Sequence, residues 1–251
     1  MRFETLEKDI VRNKELFDKE FSNEIKLVKN NLDRQMEILD LYLKVVVYDP
    51  YAISEKHTNM SLGVIYKNLL SIYAALKLTE QGLYGSARMI FRNIYEGLVI
   101  SKTVAIKKSD IMLAKWENGE DINLRMEVFR SIKTPNSEAL KEYWGILCSY
   151  NHATTYSQQV GLEYEDGRNE IAFNVACLEI LLDMNYHVLN SYVANKSIQY
   201  YAEFMADTRG KGSFSTMKKG IRSQIRVMRK IFNKTPRRIV IDFSRKWTFK
   251  K

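Results

Sequence analysis

LYGSARMIFRNIYEGLVISKTVAIK, residues 83–107, decides the fold. Apolar side chains recur at steps of three and four and reach nearly all round the helical wheel. A helix with such a wheel is enclosed by others. Within it Tyr84, Arg88, Arg92 and Glu96 stand at steps of four, which stacks them on one face. Arg92 and Glu96 form an i,i+4 pair, and buried charges of this kind need a partner or a task. Just upstream, residues 60–79 (MSLGVIYKNLLSIYAALKLT) read as a second apolar helix. Gln81-Gly82 is a short break between the two, so the pair is an αα-hairpin.

The pattern extends in both directions. The only three prolines, Pro50, Pro135 and Pro236, fall in segments that already read as breaks, which leaves the stretches between them free to be helical. Residues 3–47 read as one long helix or two, with Phe3, Leu6, Ile10, Phe17, Phe21, Ile25 and Val28 at helical spacing. Residues 109–135 read as irregular around the turn Asn118-Gly119-Glu120-Asp121, with room for short helices on either side. Asn136 or Ser137 caps a helix that runs to about Val160, and residues 169–195 make another long one. A helix over 197–207 and a short strand at Arg238–Phe243 complete the reading. The expected fold is all-α: an up-and-down four-helix bundle over 59–208, N-terminal helices over 1–48 packed on it, and a basic helix and tail over 209–251.

Charge is unevenly spread. Residues 209–251 hold 15 of the 39 lysines and arginines but one of the 30 acids, so the tail is strongly basic and the body mildly acidic. Phe214, Met217, Ile221, Ile225, Met228 and Phe232 line one stripe of the tail, with Lys218, Lys219, Arg222, Arg226, Arg229 and Lys230 around it and Arg237 and Arg238 beyond. Such a basic amphipathic segment can dock on the bundle, bind nucleic-acid phosphates or lie on an anionic membrane. The membrane is the least favoured of the three. The longest charge-free run, Tyr143–Leu162, is too polar to span a bilayer. With densely charged first residues and two unpaired cysteines, Cys148 and Cys177, both expected to be buried, the composition points to a cytoplasmic protein. Walker and dinucleotide-binding glycine motifs are absent, as is any metal-ligand spacing, so no cofactor or metal is expected.

The remaining puzzle is SYNHATTYSQQ, residues 149–159, which follows the apolar run YWGILC. On a helix, Ser149, His152 and Tyr156 share one face, and Asn151 and Thr155 share a neighbouring stripe. Such a row is either a hydrogen-bonded seam or the lining of a cleft. Of the other histidines, His57 reads as lying in a charged loop without companions, and His187 sits in the last long helix.

The hairpin carrying GSARMIFRNIYE, followed by a helix ending in YWGILCSYNHATTYS, resembles the HEPN superfamily of all-α domains over about residues 60–195. It is most similar to the bacterial branch with an RxxxE helix and a later Ser/Tyr…His helix. That resemblance implies a toxin or phage-defence protein acting on RNA as a metal-independent endoribonuclease, commonly as a homodimer and with an antitoxin or operon partner. The alternative it allows is a non-catalytic binding or accessory module for nucleic acid or protein. His152 matches the motif histidine and Asn151 its polar neighbour. Where the motif arginine would fall stand Gly145, Ile146 and Leu147, so Arg88 or Arg92 from the adjacent helix is the expected substitute. An imidazole can take the proton of a ribose 2′-OH, and a guanidinium can hold the phosphate as charge builds. Glu96 would orient the arginine, and Asn151 or Tyr156 would position the phosphate.

Overall fold

The structure is a computed structural model of the chain and describes residues 3–46, 56–132, 137–149 and 167–193. Every long element among them is helical: α1 (Phe3–Glu20), α2 (Ser22–Val46), α3 (Lys56–Glu80), α4 (Tyr84–Lys107), α5 (Asp110–Glu117), α6 (Ser137–Ser149) and α7 (Gly167–Val193). A π-turn, Leu124–Val128, and a 3₁₀ turn, Phe129–Ser131, lead from α5 towards α6. The expected helix over 197–207, the basic helix and the strand at 238–243 lie outside the described residues.

The centre is α4, as its apolar wheel requires. It packs antiparallel on α3, with α7 lying against both, α2 against α7 and α6 against α4. Phe91, Ile94, Tyr95, Leu98, Val99 and Val104 are buried along its length. Gly97 lets α3 come close, since a Cβ there would sit 3.3 Å from Val64 Cγ1. The break between α3 and α4 closes through Gly82 at φ +79°, a left-handed value that glycine takes without strain.

Helix ends and polar side chains are satisfied across elements. The last carbonyls of a helix have no partner within it. At the end of α3 the buried Asn13 of α1 supplies one, donating from Nδ2 to the Thr79 and Glu80 carbonyls at 3.0 and 2.8 Å. Its Oδ1 accepts from the Tyr84 hydroxyl. On the other side of the core, Gln35 donates to the Leu182 carbonyl at 2.9 Å and accepts from Asn185 at 2.9 Å, clasping α2 to α7.

Gly167 opens α7 in this crowded corner. A Cβ there would lie 2.8 Å from the Tyr84 hydroxyl and 3.1 Å from Asn13 Oδ1. Gly167→Ala is therefore expected to cost about 1–3 kcal/mol in urea unfolding, as overpacking does. An unchanged midpoint would show that the corner yields freely.

Several sequence expectations need correction. His57 is not in a loop: it lies in the first turn of α3, with Nε2 3.2 Å from Asp110 Oδ1 at the start of α5. Within 109–132 the short helices that the sequence left room for are present on either side of the turn: Ser109 caps α5 by accepting from the Met112 amide, and Asn123 caps the π-turn by accepting from that of Met126. Cys148 is half-buried rather than buried. Burial pushes the Cys177 thiol up to about 12, and burial also raises that of Cys148. Thiolate, not thiol, is the reactive form. A disulfide-exchange reagent at pH 8 should thus label at most one thiol of the folded protein, slowly, and both after denaturation. Rapid labelling of two would contradict the packing around Cys177.

None of the described helices is long and apolar enough to cross a membrane.

Candidate functional site

The four α4 residues expected on one face divide into two environments. Tyr84 and Arg88 point into the core against α1 and α7, whereas Arg92 and Glu96 sit half-buried at the seam with α6.

Arg88 is 1% exposed. Its Nη2 pairs with the Glu170 carboxylate, its Nε donates to Asn174 Oδ1 at 2.9 Å, and its Cζ stands 4.6 Å from the Phe173 ring centroid. Asn174 in turn donates from Nδ2 to Thr79 Oγ1 at 3.1 Å. One guanidinium thereby ties α4 to α7, and through Asn174 to α3. Glu170 and Asn174 stand at i and i+4 on α7, which is what lets both reach the same arginine.

Arg92 differs. Its Nε donates to Glu96 Oε1 at 2.8 Å, and the same oxygen accepts from Trp144 Nε1 at 2.9 Å. Burial disfavours the charge on Arg92, but the hydrogen bond it donates to Glu96 and the negative charge of that carboxylate outweigh this and raise the pKa. The guanidinium is therefore a fixed cation, and enough of it faces solvent to meet a ligand.

Its orientation depends on how α6 is held. Tyr95 donates to the Leu140 carbonyl at 2.6 Å and meets Tyr143 edge-on, with ring centroids 5.2 Å apart. Burial drives the Tyr95 hydroxyl well above its ordinary pKa, so it stays protonated and keeps donating. Phe129 meets Trp144 edge-on at 5.7 Å. Tyr95 and Trp144 were not among the residues singled out in the sequence. The available signal was Tyr95 directly beside Glu96, and Trp144 inside the apolar start of the polar run.

Asn151, His152 and Tyr156 lie outside the described residues, as do the basic residues Lys218, Lys219, Arg222, Arg226, Arg229, Lys230, Arg237 and Arg238. What the structure brings together is Arg92, Glu96 and Trp144. It separates Arg88 from them. His187 pairs within α7, with Nε2 3.4 Å from Asp183 Oδ1. Among the described residues, no three His, Cys, Asp or Glu side chains are grouped to hold a metal.

Comparison of the chain with family models, with curated proteins and with solved structures finds no match.

Proposed function

We propose that the chain is a HEPN-like helical-bundle protein of the toxin or phage-defence kind that acts on RNA as a metal-independent endoribonuclease. The observation that carries this reading is Glu96 Oε1, which holds both Arg92 of α4 and Trp144 of α6. An arginine oriented in this way stands on the seam with the helix that leads, eight positions after Trp144, to His152. Arg92 then takes the place of the motif arginine that Gly145, Ile146 and Leu147 do not supply. Arg88 has its hydrogen bonds committed inside the core, so its role in this reading is to hold the bundle together.

The step follows from these groups. His152 takes the proton of a ribose 2′-OH, and the freed oxygen attacks the adjacent phosphorus. The bond to the 5′-oxygen breaks, and that oxygen leaves as an alcohol after taking a proton from water. The products are a 2′,3′-cyclic phosphate and a 5′-OH. Arg92 stabilises the additional charge on the phosphate oxygens, and a fixed donor is most effective where charge develops. Asn151 and Tyr156 position the phosphate. The basic tail, Lys218 to Arg238 in particular, adds sequence-independent attraction to the strand. A homodimer, a cytoplasmic location and an antitoxin or operon partner belong to the same reading. Tyr66, Leu70 and Tyr73 form a half-exposed stripe at helical spacing on α3 that suits such a contact.

The test is RNA incubated with the protein in EDTA, with the fragment ends analysed. Cyclic phosphate and 5′-OH ends support the reading. Salt-sensitive binding without cleavage would replace it with a non-catalytic binding module, which the residues at 145–147 favour.

A further inference from the structure

Trp144, which shares Glu96 with Arg92, also lines a groove of about 710 Å³ between the π-turn region and α6. Such a volume falls in the range of about 300–1,000 Å³ of ligand sites. Phe129 and Trp144 line it, and Arg125, Arg130 and Lys141 stand around it with one acid, Glu138. Lys141 Nζ lies 3.3 Å from Glu138 Oε1, and both are well exposed. Arg125 and Arg130 are exposed and make no ion pair among the described residues. Among the described residues the groove therefore carries a local excess of positive charge that faces solvent.

The Trp144 ring is fixed in advance. Its Nε1 is held by Glu96 at 2.9 Å and its ring packs edge-on against Phe129. A partly exposed indole locked in one orientation beside unpaired guanidinium groups has the chemistry of a stacking platform with a phosphate clamp. Gly145 leaves the α6 wall open, because nothing lies within 4 Å of where its Cβ would be.

We propose that this groove is a subsite for one nucleotide of single-stranded RNA, with the base stacked on Trp144 and the backbone phosphates held by Arg125 and Arg130. The charge balance selects an anionic occupant and the fixed aromatic ring selects a planar one. A single strand meets both demands, since a duplex hides its base faces. This deepens the RNA reading of the Arg92 seam and rests on it for the identity of the strand. Glu96 joins the two sites: it orients Arg92 and also fixes the ring that would hold the neighbouring base.

The experiment titrates a 2′-O-methyl RNA oligonucleotide, which lacks the 2′-OH nucleophile, into the full chain. Wild type is compared with Arg125→Ser/Arg130→Ser, and Trp144→Phe assigns the indole fluorescence among the three tryptophans. We expect quenching that is largely lost in Trp144→Phe, any remainder belonging to Trp247 of the basic tail. In the double variant we expect about tenfold weaker binding and a flatter dependence of log K on log salt, by about 1.4 for two lost phosphate contacts. Affinity within twofold of wild type, or quenching that is undiminished in Trp144→Phe, would overturn the subsite. So would a mononucleotide or a duplex that binds as tightly as the single strand. Because the probe cannot be cut, these outcomes are independent of catalysis. A subsite failure that leaves cleavage of ordinary RNA intact would refute the groove and spare the Arg92 reading.

Discussion

Replacing Arg88 with alanine is expected to lower the unfolding free energy by about 3–5 kcal/mol, the usual cost of breaking a buried pair by removing one member. The expectation follows from what would remain. Glu170 would keep a carboxylate that is only 17% exposed and has lost its partner. Asn174, fully buried, would keep an Oδ1 without the Nε donor now 2.9 Å away. Phe173 would lose the cation over its ring. Three helices meet there, so the loss should appear as a lower urea midpoint for the whole cooperative transition. Arg88→Lys should recover little, since an ammonium cannot serve the carboxylate and the amide in the same fork geometry. A drop below about 1 kcal/mol for Arg88→Ala would mean that Glu170 finds solvent or another donor, and that the arginine does not knit the core.

The neighbouring arginine should behave in the opposite way. Arg92→Ala is expected to change stability by no more than about 1 kcal/mol, the ordinary worth of a partly exposed pair. It should reduce RNA cleavage by about 10²–10³-fold, in line with loss of one fixed donor to a developing charge. Glu96→Gln should fall between the two, because an amide oxygen can still accept from Arg92 and Trp144 but no longer brings a charge. Arg92→Lys should rescue part of the rate if the group acts as a cation on phosphate. These rates are read against circular-dichroism melts of the same variants. Equal losses of stability and activity in Arg92→Ala would make it another structural arginine.

That contrast shows where reading the sequence runs out. The spacing of Tyr84, Arg88, Arg92 and Glu96 placed them on one stripe, and periodicity carries no more than that. Which half of the stripe is enclosed depends on what α1, α6 and α7 bring to it. Glu170 and Asn174 lie more than eighty positions away along the chain, and nothing local marks them as the partners of Arg88. Helices α3, α4 and α7 were legible because each has an apolar wheel and clear breaks: the structure begins α4 at Tyr84 and ends it at Lys107, beside the 83–107 read from the sequence. The start of α3 was read four positions late, since Lys56, His57, Thr58 and Asn59 are polar and carry no apolar periodicity. The segment 109–135 looked irregular because a two-turn helix, a π-turn and a 3₁₀ turn are too short to establish a period, even though Ser109 and Asn123 are ordinary caps. The Trp144–Glu96 bond was hidden for another reason: an indole in an apolar run reads as core until its Nε1 partner is known.

The central claim is that Arg92 on α4 and His152 beyond α6 act on the same phosphate. The measurement that tests it most directly is cleavage of a defined single-stranded RNA in EDTA by wild type, His152→Ala, Arg92→Ala and the double variant, each verified as folded. The account predicts metal-free cleavage by wild type and a loss of at least about 10²-fold in each single variant. The double variant should be little slower than either alone, because groups that act as a unit are not additive. Undiminished cleavage by His152→Ala, or no cleavage by wild type at all, would contradict it.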